Sequence, residues 1–325
     1  MSHSGVASAA APGRTPAAQA ALRLIQSGQP IAAHFIGICG AGMSGIAKVF
    51  LQQGHTVTGS DLARSGAAAE LEALGAVVHI GHAAKHLGRP HVVVFTGAIP
   101  SGNPEYLRAQ QEGLPVLHRS QALALLLCNR TAVAVSGSHG KTTSTAMVAV
   151  ALRHLGADPS FVNGGVVMDV GSSAASGSGR MFVIEADESD KSFLNYPVDV
   201  AFITNVDFDH PDFFSGRDAY EDAFVEFATA ARDAVVICLD DPGGRRVRAR
   251  LTHRRVVGYG FAADADLRLL AVDASGPAAS AAVCFAGQEH KVRLRVPGRH
   301  NAYNAVGALA VLTALACPPI PQGFA

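Results

Sequence analysis

The chain has 325 residues, 49% of them hydrophobic and 16% charged, and its 26 Lys and Arg balance 26 Asp and Glu. That balance leaves no basic field to neutralise a phosphate backbone, which excludes nonspecific nucleic-acid binding; no apolar run approaches the roughly 18 residues of a membrane span. The length suits about two domains, each able to bury a core.

Residues 1–20 are small and polar without an apolar core region, so they read as a disordered tail and not as a secretory signal. "IAAHFIGI" is a strand, "MSGIAKVFLQQG" a helix stopped by Gly54, "HTVTGSD" a strand, "GAAAELEALG" a helix and "AVVHIG" a strand. "HVVVFTG" follows as a buried strand, "NPEYLRAQQEG" as a helix opened by Asn103 and Pro104, "LPVLHR" as a short strand and "SQALALLL" as a helix. Alternation of this kind builds a parallel sheet covered on both faces.

A second alternating unit begins near Asn129. It runs through the strand "TAVAVSG", the helix "KTTSTAMVAVALRHLG", strands in "MFVIEADESD" and "VDVAFITNVDFDH", the helix "GRDAYEDAFVEFATAAR" and the strand "DAVVICLDD". Residues 256–296 change to short alternating stretches that suggest an antiparallel patch, and "HNAYNAVGALAVLTALA" is a helix. The five cysteines, Cys39, Cys128, Cys238, Cys284 and Cys317, are scattered without C-x-x-C spacing, which favours reduced thiols in a cytoplasm over disulfides or zinc.

Two glycine-rich loops each follow a strand and open a helix. Gly40-Ala41-Gly42-Met43-Ser44-Gly45 fits G-x-G-x-x-G, with Asp61 closing the next strand. Glycines allow a tight turn and close approach of the backbone to a phosphate, and the helix N-terminus supplies free N–H donors. The pattern reads phosphate, so a dinucleotide, another phosphorylated ligand such as a nucleotide sugar, and an empty tight turn all remain open here.

The second loop, Ser136 to Thr143, has only Ser138 and His139 between Gly137 and the Gly140-Lys141 pair, two residues fewer than the usual phosphate loop. Lys141 can reach outer phosphates, and Thr142 can offer its hydroxyl to Mg²⁺. "MFVIEADESD" delivers Glu185, Asp187, Glu188 and Asp190 at a strand end, where carboxylates for the metal are needed; "ITNVDFDH" likewise delivers Asn205, Asp207, Asp209 and His210. His79, His82, His86, His91 and His118 form no recognisable constellation in the sequence.

Five stretches, "HFIGICGAGMSGIA", "SGSHGKTTST", "EADESDKSFL", "ITNVDFDH" and "PGRHNAYNA", together resemble the Mur ligases of bacterial peptidoglycan synthesis, most closely the branch that adds L-alanine. The resemblance runs from about Ile31 to Ala316, and the shortened loop is a feature of that family. It implies an α/β chain in which a Rossmann-like parallel-sheet domain, residues 21–128, holds UDP-N-acetylmuramate through Gly37, Gly40, Ala41, Gly42, Met43 and Ser44, with Asp61 near the uridine. A P-loop-type α/β domain, residues 129–317, with a small antiparallel patch, would bind ATP through Gly137, Ser138, His139, Gly140, Lys141, Thr142 and Thr143, with Asn301 and Asn304 facing adenine. Thr142, Glu185 and His210 match the family's magnesium positions, and Lys141, Glu185 and His210 its catalytic ones.

The implied reaction is phosphorylation of the muramate carboxylate by ATP with Mg²⁺, then attack of the L-alanine amine on the acyl phosphate, in the cytoplasm and without membrane insertion. "GICG" and "DFDHPDFF" lean towards the family's tripeptide-adding recycling ligase, and "GAGMSGIA" and "ESDKSFL" towards the alanine ligase. Two departures stand out. Cys39 occupies a position where the family usually has Gly, which would strain the turn if φ must be positive there. Residues 318–325 are too few for the family's third, amino-acid-binding domain, so the sequence is expected to be either a fragment or a truncated protein, with reduced ligase activity or with nucleotide binding alone.

Overall fold

The computed structural model describes residues 16–252 and 255–317. Contacts divide the chain into two units: residues 1–129, 161–177 and 195–197 form the first, and residues 130–160, 178–194 and 198–325 the second. The first unit is thus discontinuous in sequence, since 161–177 and 195–197 return to it.

The tail expected over residues 1–20 lies outside the described residues up to position 15. From Pro16 the chain is helical, as α1 (Pro16–Gln26). Its Ala21 is fully buried. The apolar stripe of Leu22 and its neighbours gives this segment a face to pack, which small residues such as those of "AAPGRTPAAQ" conceal in the sequence.

In the first unit five strands alternate with helices: β1 (Ala32–Ile36), α2 (Ala41–Gln52), β2 (Thr56–Asp61), α3 (Gly66–Ala73), β3 (Val77–Ile80), β4 (Val92–Phe95), α4 (Pro104–Gln111), β5 (Val116–His118) and α5 (Arg119–Leu126). The sheet order is β3-β2-β1-β4-β5, and all pairings are parallel. The order reverses between β1 and β4, so the crevice at the C-terminal end of β1 is where this topology binds ligands. One part of its core joins Ile36, Leu87, Val93 and Ala109, with Ile99, Tyr106, Leu114 and Val116 packed against them. Asn103 caps α4 by accepting from the N–H groups of Glu105 and Tyr106, ahead of Pro104 in the first turn.

The antiparallel hairpin of β7 (Ser160–Val167) and β8 (Ser172–Ala175) groups with this unit apart from Ser160. A Cβ at Gly45 of α2 would lie 3.3 Å from the Ala174 methyl and 3.5 Å from Val162, so this glycine lets α2 approach the hairpin.

The second unit contains β6 (Thr131–Ser136), α6 (Lys141–His154), β9 (Met181–Glu185), β10 (Val200–Ile203), α7 (Arg217–Ala230), β11 (Ala234–Cys238), α8 (Pro242–Arg250), β12 (Val256–Gly260), β13 (Leu267–Asp273), β14 (Ser280–Phe285), β15 (Gln288–Arg293) and α9 (Arg299–Ala314). Its strands run β15-β14-β13-β12-β11-β10-β6-β9. From β9 to β13 the pairings are parallel. The antiparallel patch expected over 256–296 is confined to β13, β14 and β15, because β12 continues the parallel sheet beside β11. The central strands read Val, Ala, Phe and Ile almost without interruption and are fully buried, as strands covered on both faces must be. Phe193 stacks on Phe227 at 5.0 Å and meets Phe224 edge-on at 5.4 Å beneath α7.

Candidate functional site

The first unit's glycine loop leaves β1 at Gly37, whose φ of +81° is the one left-handed residue of the turn. The amides of Gly37 and Ile38 donate to the Ser60 carbonyl at 2.8 and 3.0 Å. The Cys39 amide donates to Asp61 Oδ2 at 2.8 Å, and Oδ1 of the same carboxylate accepts from the Leu62 amide at 2.8 Å. Asp61 thus braces the loop from within. Cys39 is absent from the residues with positive φ, so its side chain fits without backbone strain, and burial pushes its thiol above the usual value.

No side chain caps α2 at Gly40, so the first amides of a 12-residue helix are left for an anion. A Cβ at Gly42 would lie 3.1 Å from an Arg119 guanidinium nitrogen, which puts a cation over that turn. Met43 is buried and Ser44 Oγ turns back to the Ala41 carbonyl at 3.3 Å. Gly59, unmarked by any sequence motif, leaves no room for a side chain: a Cβ would lie 2.6 Å from the Phe35 carbonyl oxygen.

The second unit's loop leaves β6 at Ser136. Gly137 has φ +134°, and a Cβ there would lie 2.1 Å from Thr204 Oγ1. Gly140 has φ +81°, and its Cβ would lie 2.8 Å from Asn304 Oδ1. Both glycines are therefore demanded by the turn. Thr204 and Asn205, at the end of β10, fix the loop from the side. The Thr204 hydroxyl donates to the His139 carbonyl at 2.7 Å; Asn205 accepts from the His139 amide and donates to its carbonyl, both at 2.9 Å. The Ser138 hydroxyl donates to the Asp207 carbonyl at 2.6 Å and lies 2.9 Å from the Tyr220 hydroxyl of α7. Burial holds that phenol well above its ordinary value, so Tyr220 is a neutral hydroxyl.

No side chain caps α6 at Gly140. Lys141 Nζ donates to the carbonyls of Gly137 at 2.7 Å and Ser138 at 3.3 Å, and to Glu188 Oε1 at 2.9 Å. Glu188 is fully buried, and among the described residues its Oε2 has no hydrogen-bond partner that meets normal geometry. Burial raises its carboxyl above the usual range, an effect that Lys141 opposes. His210 Nε2 stands 3.7 Å from Glu188 Oε1 and 3.8 Å from Asp209 Oδ2. Its backbone is left-handed, at φ +58°, and its carbonyl accepts the amides of Phe213 and Phe214. The Thr142 hydroxyl donates to Glu185 Oε1 at 3.0 Å. On α9, Asn301 donates to the Pro297 carbonyl at 2.7 Å, and Asn304 reaches Asn301 at 3.5 Å. Thr143 occupies the third position of α6, half-buried.

The residues expected at the second loop therefore fall into two joined sets. Thr142 meets Glu185, and Lys141 and His210 both meet Glu188. Among the described residues no group of three or more His, Cys, Asp or Glu could by itself hold a metal. Mg²⁺ takes hard oxygens, one or two carboxylates completed by phosphate oxygens and waters. The Thr142 hydroxyl, the Glu185 carboxylate and the unpartnered Glu188 oxygen fit that requirement. Thr204 and Tyr220 carry no motif that marks them as site residues in the sequence, and Tyr220 lies in a helix far along the chain. Glu188 is one of four candidate acids within six residues, and only its burial singles it out.

Residues 32–131 match the Mur ligase family, catalytic domain, and residues 135–312 match the Mur ligase middle domain. The chain is 54% identical over 286 residues to the UDP-N-acetylmuramate–L-alanine ligase of Clavibacter michiganensis, covering 88% of this chain and 60% of that protein. It is 47% identical over 289 residues to the ligase of the same name from Streptomyces coelicolor, covering 88% and 63%. Among solved structures, the UDP-N-acetylmuramate–alanine ligase of Thermotoga maritima superposes with a TM-score of 0.77 at 30% identity, over 89% of this chain and 66% of that one. The UDP-N-acetylmuramate:L-alanyl-γ-D-glutamyl-meso-diaminopimelate ligase of Neisseria meningitides superposes with a TM-score of 0.80 at 27% identity, over 88% and 94%. The chain spans about 60% of the length of the curated relatives it matches.

Proposed function

The chain belongs to the Mur ligase family, and on that premise we propose that it joins L-alanine to the carboxylate of UDP-N-acetylmuramate at the expense of ATP, in the cytoplasm, for peptidoglycan synthesis. The observation that carries this reading is the second loop. Two sterically obligatory glycines, an uncapped helix N-terminus and Lys141 beside Glu188 form an anion cradle suited to a nucleotide triphosphate.

In this reading the domain over 129–317 binds ATP, with amides of Gly137 to Thr143 around the phosphates and Asn301 and Asn304 on the adenine side. Lys141 leaves the carbonyls of Gly137 and Ser138 for the outer phosphates, where an ammonium offsets the repulsion between the incoming carboxylate and the phosphate being transferred. Thr142, Glu185 and His210, with Glu188 beside them, are the residues that would hold Mg²⁺. When bound, the ion supplies Lewis-acid charge neutralisation at the phosphate oxygens. A muramate carboxylate oxygen bonds the γ-phosphorus as the bond to the bridging oxygen breaks, giving an acyl phosphate and ADP. The alanine amine then attacks that carbonyl, and phosphate leaves from the tetrahedral species. The domain over 21–128 holds the UDP-sugar at Gly37 to Ser44, with the α2 amides on its phosphates and Asp61 setting the loop.

A second reading, addition of a tripeptide instead of L-alanine, is supported by the coverage of 94% of the Neisseria ligase structure. Phosphate release from ATP with UDP-N-acetylmuramate decides between them. Turnover with L-alanine and not with L-alanyl-γ-D-glutamyl-meso-diaminopimelate supports the first reading, and the reverse supports the second. ATP binding without turnover on either acceptor refutes both and leaves a nucleotide-binding protein.

A further inference from the structure

The fold gathers histidines that look unrelated in the sequence around one carboxylate. Glu105, in the first turn of α4, is fully buried. Its Oε2 accepts from the Ser60 hydroxyl and lies 3.3 Å from His34 Nε2 and 3.8 Å from His82 Nδ1. Its Oε1 accepts from the Ala83 amide at 3.1 Å and faces His86 Nδ1 at 3.4 Å. His34, buried on β1, reaches Thr58 Oγ1 with its other nitrogen at 2.8 Å, and His82 Nδ1 lies 2.8 Å from the Ser60 hydroxyl.

A buried carboxylate with this many donors stays ionised: burial pulls Glu105 upward, but hydrogen bonds from His34, Ser60 and the Ala83 amide outweigh it and hold the carboxyl below its ordinary value. The other titratable groups around the cluster are His79 of β3, stacked on His86 at 4.3 Å, then Lys85 beside it, and Arg108 of α4, which is engaged by the Ala84 carbonyl and Glu112.

Ser60 connects the cluster to the glycine loop. Its carbonyl accepts the amides of Gly37 and Ile38, and the next residue, Asp61, accepts the Cys39 amide. We propose that Glu105 is a positioning residue for this loop: by holding Ser60 it fixes the end of β2 from which the loop's amides hang, and the surrounding imidazoles make that hold weaken as pH falls.

The charge count gives the direction. One buried anion can compensate only one of the imidazolium charges that the surrounding histidines could carry. A further proton among these imidazoles, which stand close enough for His79 to stack on His86 at 4.3 Å, adds an uncompensated cation in a buried cluster, and like charges there repel. Imidazole charge changes between pH 5 and 8, so the loop loosens at the acid end of that range. The ligand affected rests on the proposal that the loop holds UDP-N-acetylmuramate, but the loosening itself does not.

Amide hydrogen exchange of the full chain, followed for the segment 36–45 between pH 5 and 8 and corrected for intrinsic rates, reads the loop directly. The wild-type segment exchanges about tenfold faster at pH 5 than at pH 8, a factor equivalent to about 1.4 kcal/mol. Glu105→Gln and the milder Ser60→Ala both raise exchange at pH 8 and flatten the pH dependence, while segment 131–145 of the second unit is unchanged. A second readout is titration with UDP-N-acetylmuramate: Ser60→Ala weakens its affinity about tenfold and leaves ATP affinity unchanged. Loop exchange that is independent of pH in the wild type, or unaltered in a folded Ser60→Ala protein, overturns the proposal. Wild-type protein that fails to bind UDP-N-acetylmuramate but shows the pH-dependent exchange refutes the ligand reading and leaves the brace standing.

Discussion

Replacing Lys141 with methionine keeps the aliphatic stem and deletes the ammonium. In the structure that ammonium is 2.9 Å from Glu188 Oε1, and the two side chains are 17% and 0% exposed. Removing one partner of a buried pair typically costs about 3–5 kcal/mol, because the remaining charge is stranded. The lower end applies here. The Glu188 carboxyl is already raised by burial, and once Lys141 is gone it can take up a proton and neutralise itself. A loss of about 3 kcal/mol lowers the unfolding temperature of a domain of 150–250 residues by about 6–12 °C. Circular dichroism melting of the full chain at pH 7 measures it. Adding Glu188→Gln to Lys141→Met removes the stranded charge and recovers about 1–2 kcal/mol, a coupling of the size expected for contacting residues. The double variant is therefore more stable than Lys141→Met, yet it still fails to bind ATP because the phosphate cation is missing. A Lys141→Met protein that melts with the wild type, or a double variant no more stable than the single one, refutes the reasoning.

Gly137→Ala puts a methyl 2.1 Å from Thr204 Oγ1 at a φ of +134°; urea unfolding is expected to register a loss of about 2 kcal/mol or more, and ATP titration a loss of binding. Cys39→Gly is expected to gain nothing and to cost up to about 1 kcal/mol in the same unfolding experiment, since Cys39 needs no positive φ and glycine adds chain entropy to the unfolded state. Glu105 is held below its ordinary value of 4.5, so the folded state binds this proton less readily than the unfolded one. The stability contributed by its own ionisation, separate from the effect of the imidazoles around it, is complete above pH 4.5 and is lost as pH falls through its lower folded value. Glu105→Gln should therefore flatten the acid limb of a stability-against-pH curve, and an unchanged limb speaks against the ionised carboxylate.

The parts of the fold visible in the sequence are those governed by local rules. Apolar strands bounded by glycine, the Asn103-Pro104 helix start and both glycine loops depend on short stretches, and each recurs in the structure at the expected place. The hairpin β7–β8 is not legible, because Asn163-Gly164-Gly165 reads as a turn yet lies inside β7, and "SSAA" has no strand formers. Helix α8 is hidden by Gly243 and Gly244, which follow its Asp241 cap and Pro242 in the first turn. The acids after β9 were visible as a group, but burial chose Glu188 among them, and burial is a property of the folded chain. The same holds for Glu105, His34, His82 and His86, which come from three stretches of sequence and meet only once α4 packs against the turn at 84–87 and the Glu105 side chain reaches β1 and β2.

The chain's path between its units bears on the order in which it can fold as it is synthesised. Residues 1–129 supply the five-stranded sheet, but the hairpin against which α2 packs arrives only with residues 161–177, and the unit's last segment, 195–197, later still. At about 5–20 residues per second, the emerging first sheet waits on the order of several seconds with the Gly45 side of α2 uncovered. During that interval β6 and α6, the strand and helix flanking the second loop, have already left the ribosome. The two units thus cannot mature strictly one after the other, and a fragment cut after residue 129 would lack a layer that its own helix is shaped to receive.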